Sequence, residues 1–155
     1  MCGGKKGDAY SNPATPAQLT IVYDGEGITH IGFHLKLGDD QMIYDPNGSY
    51  AKKYNTADRG ADVIEGKNAS LSKYVGFQYG KGSNVNVFTF NLSTSDANAI
   101  FTAAGAMPNA GGPTCAVSCA SVLRSAPTFS SIPRSSAILP WTLQNSLKNL
   151  QSGGR

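Results

Sequence analysis

The stretch ITHIGFHLKLGDDQMIYD, residues 28–45, decides the fold of this chain. Apolar and polar residues alternate along residues 28–37 and again along 41–45, and this period of two is typical of half-buried β-strands. The short run Gly38-Asp39-Asp40 lies between the two arms and supplies the residue types that tight turns require. The stretch therefore predicts a β-hairpin.

The same alternation places His30 and His34 together on one face of the first strand, opposite its large apolar side chains. If Asp39 and Asp40 form a two-residue loop, His34 lies directly opposite Asp45, and all three polar residues share that face. A three-residue loop moves Asp45 to the other face. The histidine face of the hairpin is thus the first place to look for chemistry.

Outside the hairpin, the patterns predict an α+β fold in which a small antiparallel sheet packs with helices on one side. Residues 69–77 fit either a short helix or a strand. We expect one domain over residues 17–152, preceded by a flexible lead-in over 1–16. Two more strands are predicted at 18–24 and 85–92, the second of them inside the sheet, and a turn is predicted at 45–48. A helix capped within 93–96 should end near Ala104, with Gly105 as its stop. Further helices are predicted at 115–124 and from Pro140, where Trp141 is expected to anchor the helix in the core.

Composition excludes several classes of protein. A chain of 155 residues with 40% apolar and 15% charged residues can bury the core of one globular domain. The net charge is only +3 and the basic residues are scattered, so we do not expect nucleic-acid binding. No run approaches the ~20 apolar residues of a membrane span, and residues 1–6 lack the apolar part of a signal peptide. The cysteines and histidines form neither a disulfide framework nor a metal-binding motif, and we expect no metal or cofactor.

Cys115 stands out among the nucleophilic residues. It follows Gly111-Gly112-Pro113-Thr114, which cannot be helical, and it opens a segment that can be. In the first turn of a helix, unpaired N–H groups and the positive end of the macrodipole favour the thiolate form of a cysteine. Cys119 lies one turn later, where we expect a buried small residue that faces the sheet. Cys115 is therefore the candidate nucleophile.

A cysteine hydrolase also needs an imidazole beside the thiol and a polar group that orients the imidazole. The two histidines of the chain, His30 and His34, are both candidates for the base, and Asp45 can orient either of them. The expected register favours His34, because His30 then lies four residues from Asp45, roughly 13 Å along the strand.

Two segments resemble the papain-like, NlpC-like cysteine hydrolases. Residues 29–33 (THIGF) with 42–46 (MIYDP) are similar to the histidine hairpin of that group, and residues 114–123 (TCAVSCASVL) are similar to its nucleophile helix. The histidine precedes the cysteine, as in circularly permuted members. The resemblance implies a papain-like core with the histidine hairpin before the cysteine helix. It also implies that Cys115 is the nucleophile, His30 the general base and Asp45 the orienting group.

Residues 44–50 (YDPNGSY) also resemble toxin domains at the C-termini of Rhs-type and other polymorphic secreted bacterial proteins. Together the resemblances imply a peptidase, amidase or deamidase that acts on a protein, peptide or peptidoglycan substrate. They imply a toxin or effector that is delivered into a target cell in interbacterial competition and is bound by a cognate immunity protein. The alternatives are a lipid acyltransferase or phospholipase on the same fold and a non-catalytic binding module.

Overall fold

The computed structural model describes residues 17–26, 29–54, 62–108, 115–134 and 138–153. Within these ranges the chain forms an α+β fold, which confirms the predicted class. The strands are β1 (Ala17–Asp24), β2 (His30–Leu37), β3 (Asp40–Tyr44), β4 (Val63–Glu65) and β5 (Val85–Leu92). The helices are α1 (Ser49–Tyr54), α2 (Leu71–Tyr79), α3 (Thr94–Ala106), α4 (Cys115–Leu123) and α5 (Pro140–Gly153). The strands form an antiparallel sheet in the order β4-β3-β2-β1-β5.

The central hairpin consists of β2 and β3, as predicted, but its loop differs. Leu37 pairs with Asp40, so Gly38 and Asp39 are the two loop residues. Gly38 has a φ of 59°, a left-handed conformation that glycine adopts without strain from a Cβ atom. The glycine therefore sets the position of the turn, one residue earlier than expected.

Because the loop lies at Gly38 and Asp39, the pairing register between β2 and β3 differs from the predicted one. His34 pairs with Ile43, and the predicted pairing of His34 with Asp45 is wrong. The shift amounts to two residues, because Met42 pairs with Leu35 where Leu37 was expected. An even shift leaves every side chain on its predicted face. It moves Asp45 two residues closer to the beginning of β2, where His30 lies.

One face of the sheet packs against α3, α4 and α5 around the larger core. Ser93 caps α3 as predicted and accepts a hydrogen bond of 3.0 Å from the Asp96 N–H, but the helix continues past Gly105, which does not stop it. The core on this face includes Leu19, Ile21, Ile31, Phe33, Leu35, Met42, Tyr44, Ile100, Cys119, Val122, Leu123, Phe129, Leu143 and Leu147.

The opposite face of the sheet is also covered, so the prediction of helices on one side only is wrong. The strand residues on this face are mixed, but Val22, Ile43, Ile64 and Val85 contribute apolar side chains that are removed from water only if this face is covered too. Helices α1 and α2 supply that cover through Tyr50 and Tyr74, whose ring centroids lie 5.1 Å apart. The core on this face consists of Val22, Ile43, Tyr50, Ala51, Ile64, Ala69, Tyr74 and Val85.

The structure tests three further predictions. The ambiguous segment 69–77 lies largely in α2, which begins after the N-cap Ser70. Strand β5 pairs with β1 at an edge of the described sheet, and the prediction that it lies inside is wrong. Trp141 is 49% exposed on α5 and is not the core anchor that was expected, because Leu143 and Leu147 form the buried stripe. The predicted lead-in over 1–16 and the loop Gly111-Gly112-Pro113-Thr114 lie outside the described residues.

None of the helices in the described ranges is long and apolar enough to cross a membrane.

Candidate active site

The candidate site lies where β2 and α4 begin. His30 is the first residue of β2 and Cys115 the first residue of α4. Both line a cleft of about 550 Å³, whose wall also includes Glu26, Thr29, Asn47, Gly48, Ser49, Lys81, Leu139 and Pro140. A larger cavity of about 680 Å³ lies at the hairpin loop and is lined by Asp39, Asp40 and Glu65, with neither cysteine nor histidine in its wall. Of these two cavities, the smaller is therefore the one whose wall contains the candidate nucleophile.

His30 and Asp45 form a close pair. The His30 Nε2 atom lies 2.5 Å from Asp45 Oδ1, and the Asp45 side chain is completely buried. Gly32 follows His30 by two residues on the same face of β2, and a Cβ atom there would lie 3.3 Å from Asp45 Oδ1. A Cβ atom at Gly32 would lie 2.8 Å from the Tyr44 carbonyl oxygen and would overlap the Tyr74 hydroxyl group. The glycine in the sequence His-x-Gly thus leaves room for the carboxylate to reach the imidazole.

The turn after β3 fixes the Asp45 carboxylate. The predicted turn at 45–48 is confirmed, with the Gly48 N–H donating to the Asp45 carbonyl oxygen at 2.9 Å and Asn47 at a φ of 56°. A Cβ atom at Gly48 would overlap the Asp45 carboxyl group. The chain then enters α1, where the Ala51 N–H donates to Asp45 Oδ2 at 2.9 Å. Each oxygen of the carboxylate therefore has its own hydrogen-bond donor.

Tyr74 supplies a further donor that sequence reasoning missed. Its hydroxyl group donates to Asp45 Oδ1 at 2.7 Å from the buried face of α2. The segment around Tyr74 is weakly periodic, and the contact joins residues that are 29 positions apart. The only local signal was Ser70, an N-cap residue that predicts where the helix begins but not which side chain reaches the site.

Cys115 approaches His30 from the helical layer. The thiol and the imidazole are hydrogen-bonded to each other, and the Ile31 and Ala116 backbones also hydrogen-bond the sulfur. Asp45 contacts Nε2 of the ring, which leaves Nδ1 as the nitrogen available to the sulfur. The three residues predicted as the site are thus joined in one chain of contacts from Cys115 through His30 to Asp45.

The electrostatics of the pair favour charge separation. Burial disfavours the imidazolium, but the hydrogen bonds and negative charges of Asp45 and Cys115 outweigh burial and raise the pKa of His30 to about 10. Burial likewise opposes the thiolate, yet the hydrogen bond and positive charge of His30 hold the pKa of Cys115 below its ordinary value. The pKa of Asp45 is lowered against burial by His30, the Ala51 N–H and Tyr74. Each charged form therefore stabilises the other, which favours charge separation between the thiol and the imidazole.

The other histidine and the other described cysteine have different surroundings. His34 Nε2 lies 3.0 Å from Oε1 of the neutral Gln41 side chain, and burial lowers the pKa of His34. Cys119 is buried and donates to the Ile31 carbonyl oxygen at 3.6 Å, while burial raises its pKa well above the usual value. The expectation of a buried, sheet-facing Cys119 is confirmed.

Among the described residues, no three His, Cys, Asp or Glu side chains converge in a way that could hold a metal ion.

A scan against models of protein families found no match, and searches of curated proteins and of solved structures found none either.

Proposed function

We propose that this protein is a papain-like cysteine hydrolase that cleaves amide bonds, with Cys115 as the nucleophile, His30 as the general acid and base, and Asp45 as the group that orients His30. The observation that carries the proposal is the chain of hydrogen bonds from Cys115 through His30 to the buried Asp45 carboxylate. A structural role alone does not require a thiol and an imidazole that favour each other's charged forms at the wall of an open cleft.

The geometry supports a two-step reaction. The Cys115 thiolate attacks the carbonyl carbon, a C–S bond forms, and the carbonyl electron pair moves to the oxygen. Backbone N–H groups at the start of α4 are suited to stabilise this oxyanion. The His30 imidazolium gives its proton to the leaving amine as the C–N bond breaks. In the second step His30 takes a proton from water, which attacks the thioester and releases a carboxylic acid and the thiolate.

The cleft contributes to the choice of substrate. Glu26 and Lys81 place opposite charges in the wall that contains Cys115, and Asn47 and Ser49 add polar groups. Such a wall suits a peptide-like substrate with polar groups around the scissile amide. A protein, a peptide, a peptidoglycan stem or a glutamine side chain meets this requirement, and the enzyme is accordingly a peptidase, an amidase or a deamidase.

The biological setting is inferred from the resemblance of residues 44–50 to toxin domains of Rhs-type secreted proteins. In that setting the domain acts in a target cell after delivery, and a cognate immunity protein binds it in the producing cell.

The first test compares wild type with Cys115→Ser and with Cys119→Ser as a matched control. Cys119 belongs to the same helix and is equally a free thiol, but its Sγ atom contacts the Ile31 carbonyl oxygen. Purified proteins are incubated with casein peptides and with peptidoglycan, and new amino groups and ammonia are measured. We expect activity in wild type and Cys119→Ser and none in Cys115→Ser. Equal activity in Cys115→Ser would contradict the mechanism.

A second test needs no substrate. Iodoacetamide is applied at pH 6.5, and the modification of Cys115 is followed by mass spectrometry. The ion pair predicts alkylation much faster than that of a free thiol. Alkylation at the rate of a free thiol would favour the non-catalytic binding module.

One observation favours thioester chemistry on lipids as a second candidate function. Leu139 is 49% exposed in the wall of the cleft, and Trp141, two residues later, is equally exposed. Apolar side chains at the mouth of a cleft suit an acyl chain. Release of fatty acid from phosphatidylcholine vesicles by wild type, but not by Cys115→Ser, would support this function over amide cleavage.

A further inference from the structure

Asp45 is held by more donors than its contact with His30 requires. Its Oδ1 atom accepts from His30 at 2.5 Å and from the Tyr74 hydroxyl at 2.7 Å, while Oδ2 accepts from the Ala51 N–H. A carboxylate with a single partner can rotate about its Cβ–Cγ bond, whereas donors on both oxygens fix its plane. The plane of the carboxylate determines which direction its lone pairs offer to the imidazole.

Tyr74 is itself held in one position. Its side chain is fully buried in the core on the α1 and α2 face, and its ring contacts the Tyr50 ring in an edge-on arrangement at a centroid distance of 5.1 Å. Gly32 admits its hydroxyl group, since a Cβ atom there would overlap the Tyr74 oxygen. The phenol therefore reaches the carboxylate through a gap that this glycine leaves in the sheet face.

We propose that Tyr74 is a positioning residue, whose hydroxyl group holds the Asp45 carboxylate in the plane in which it orients His30. The inference rests on the proposed function, because an oriented imidazole matters only if His30 acts on the Cys115 thiol. Tyr74 touches neither of these reacting groups in this scheme and acts through Asp45 alone. It links the core on the α1 and α2 face of the sheet to chemistry at the start of α4.

Other titratable groups surround this chain of contacts; among them Tyr50, whose pKa burial raises to about 12, stays neutral from pH 4 to 10. Asp24 pairs with His30 across β1 and β2, and its carboxylate lies 3.6 Å from the Lys81 ammonium group. Further titratable groups near Asp45 or its partners, among the described residues, include Glu26 in the cleft wall, Tyr50 on α1, Cys115 and Cys119 on α4, and Asp62 just before β4. These groups are unchanged when the Tyr74 hydroxyl alone is removed.

The test compares Tyr74→Phe with Tyr50→Phe. Tyr50 is the matched control because its buried hydroxyl donates to the Asn68 carbonyl oxygen at 2.6 Å, in the same core but not to Asp45. The rate of Cys115 alkylation by iodoacetamide is measured from pH 4 to 10 in both variants and in wild type. We expect the acid limb of the Tyr74→Phe profile to move to higher pH, since a loosely held Asp45 stabilises the imidazolium less well. We expect Tyr50→Phe to keep the wild-type profile.

The hydrolytic reaction gives a second readout. In Tyr74→Phe we expect kcat to fall about tenfold with little change in KM, a loss in the range of one hydrogen bond to a charged group. In an Asp45→Asn background, Tyr74→Phe should cause no further shift of the alkylation profile, because the two residues act in series.

The outcomes separate the two proposals. Slow alkylation of wild-type Cys115 would overturn the proposed function and this inference with it. Fast alkylation in wild type with an unchanged profile in Tyr74→Phe would overturn the positioning role alone, as would equal losses of thermal stability in the two variants without any shift.

Should Tyr74→Phe fail to fold, the hydroxyl proton of Tyr74 can be observed by NMR in wild type and in Asp45→Asn. A downfield resonance that moves in Asp45→Asn supports the contact, and one that stays in place contradicts it.

Discussion

Two positions of β2, its first and its fifth, carry the same residue type in opposite states. His30 at the first position and His34 four residues later share one face of the strand, and both are largely buried. At the His30 end, a carboxylate and a thiol raise the pKa to about 10. At His34, inside the strand, burial dominates, the hydrogen-bond partner is the neutral Gln41 side chain, and the pKa of the imidazole is lowered. One histidine is held as a cation and the other as a neutral ring.

The difference shows that residue type and strand face do not determine chemistry in this sheet. A buried imidazole becomes charged only where opposite charges offset the cost of desolvation. Asp45 provides this at the His30 end because β3 ends there and its chain turns back at residues 45–48. The pairing register therefore decides which histidine becomes the candidate base.

The largest expected effect distinguishes His30 from His34 by replacing each histidine with glutamine, which substitutes an amide for the imidazole. His30→Gln should slow Cys115 alkylation at pH 6.5 by up to about two orders of magnitude, because without the imidazolium the thiol returns towards an ordinary pKa near 8.5. His34→Gln, the matched control, should leave the rate unchanged. An equal loss in both variants would refute the assignment of the base to His30.

The pH dependence of hydrolysis is the next largest expected effect. The lowered pKa of Cys115 places the acid limb of kcat/KM below the range of an ordinary thiol. The raised pKa of His30 keeps the imidazolium present until the pH approaches about 10, above which the leaving amine has no proton donor. We expect a broad plateau across neutral pH. A profile that rises with a single pKa near 6.5 would point to an unpaired histidine.

Gly32→Ala tests whether Tyr74 and Asp45 must approach the backbone at Gly32 as closely as they do. The added methyl group would overlap the Tyr74 hydroxyl and press on the Tyr44 carbonyl oxygen at 2.8 Å. Overpacking of this kind costs about 1–3 kcal/mol of the free energy of unfolding, which chemical denaturation measures. We also expect slower alkylation of Cys115, since Asp45 must shift. Normal stability with fast alkylation would show that the close approach is not needed.

The smallest expected effect is the contribution of His34 to the pH dependence of the free energy of unfolding. Because burial lowers the pKa of His34 in the folded state, the unfolded chain binds its proton more tightly, and stability falls as the pH drops through about 6.5. His34→Gln should remove this part of the loss. The free energy of unfolding of both proteins, measured between pH 5 and 8, checks the prediction. Parallel curves would show that His34 is not linked to stability.

Much of the fold could be predicted because the relevant patterns are local. The alternation along β2 assigned His30 and His34 to one face, Ser93 marked the start of α3, and Pro140 marked the start of α5. Residues 49–82 resisted prediction because α1 and α2 have weak amphipathic patterns and are stabilised by packing on the sheet. The cover on the second face, and Tyr74 with it, was missed for that reason.

The candidate site was predicted in part. Cys115 was found because a helix start is a local feature, and His30 and Asp45 came from the resemblance to papain-like hydrolases. Residue patterns alone favoured His34, since the loop was placed one residue too late. Gly38 contained the correct signal, because its left-handed conformation places it within the turn.

The sequence by itself determined the faces of the strands, the helix that begins with the thiol and the candidate residues for its chemistry. These features depend on backbone preferences and side-chain periods that operate within a few residues. Only the tertiary structure decided which histidine meets Asp45 and that Tyr74 holds the carboxylate. Those contacts join residues 15 and 29 positions apart, and their formation depends on pairing register and on close packing around Gly32.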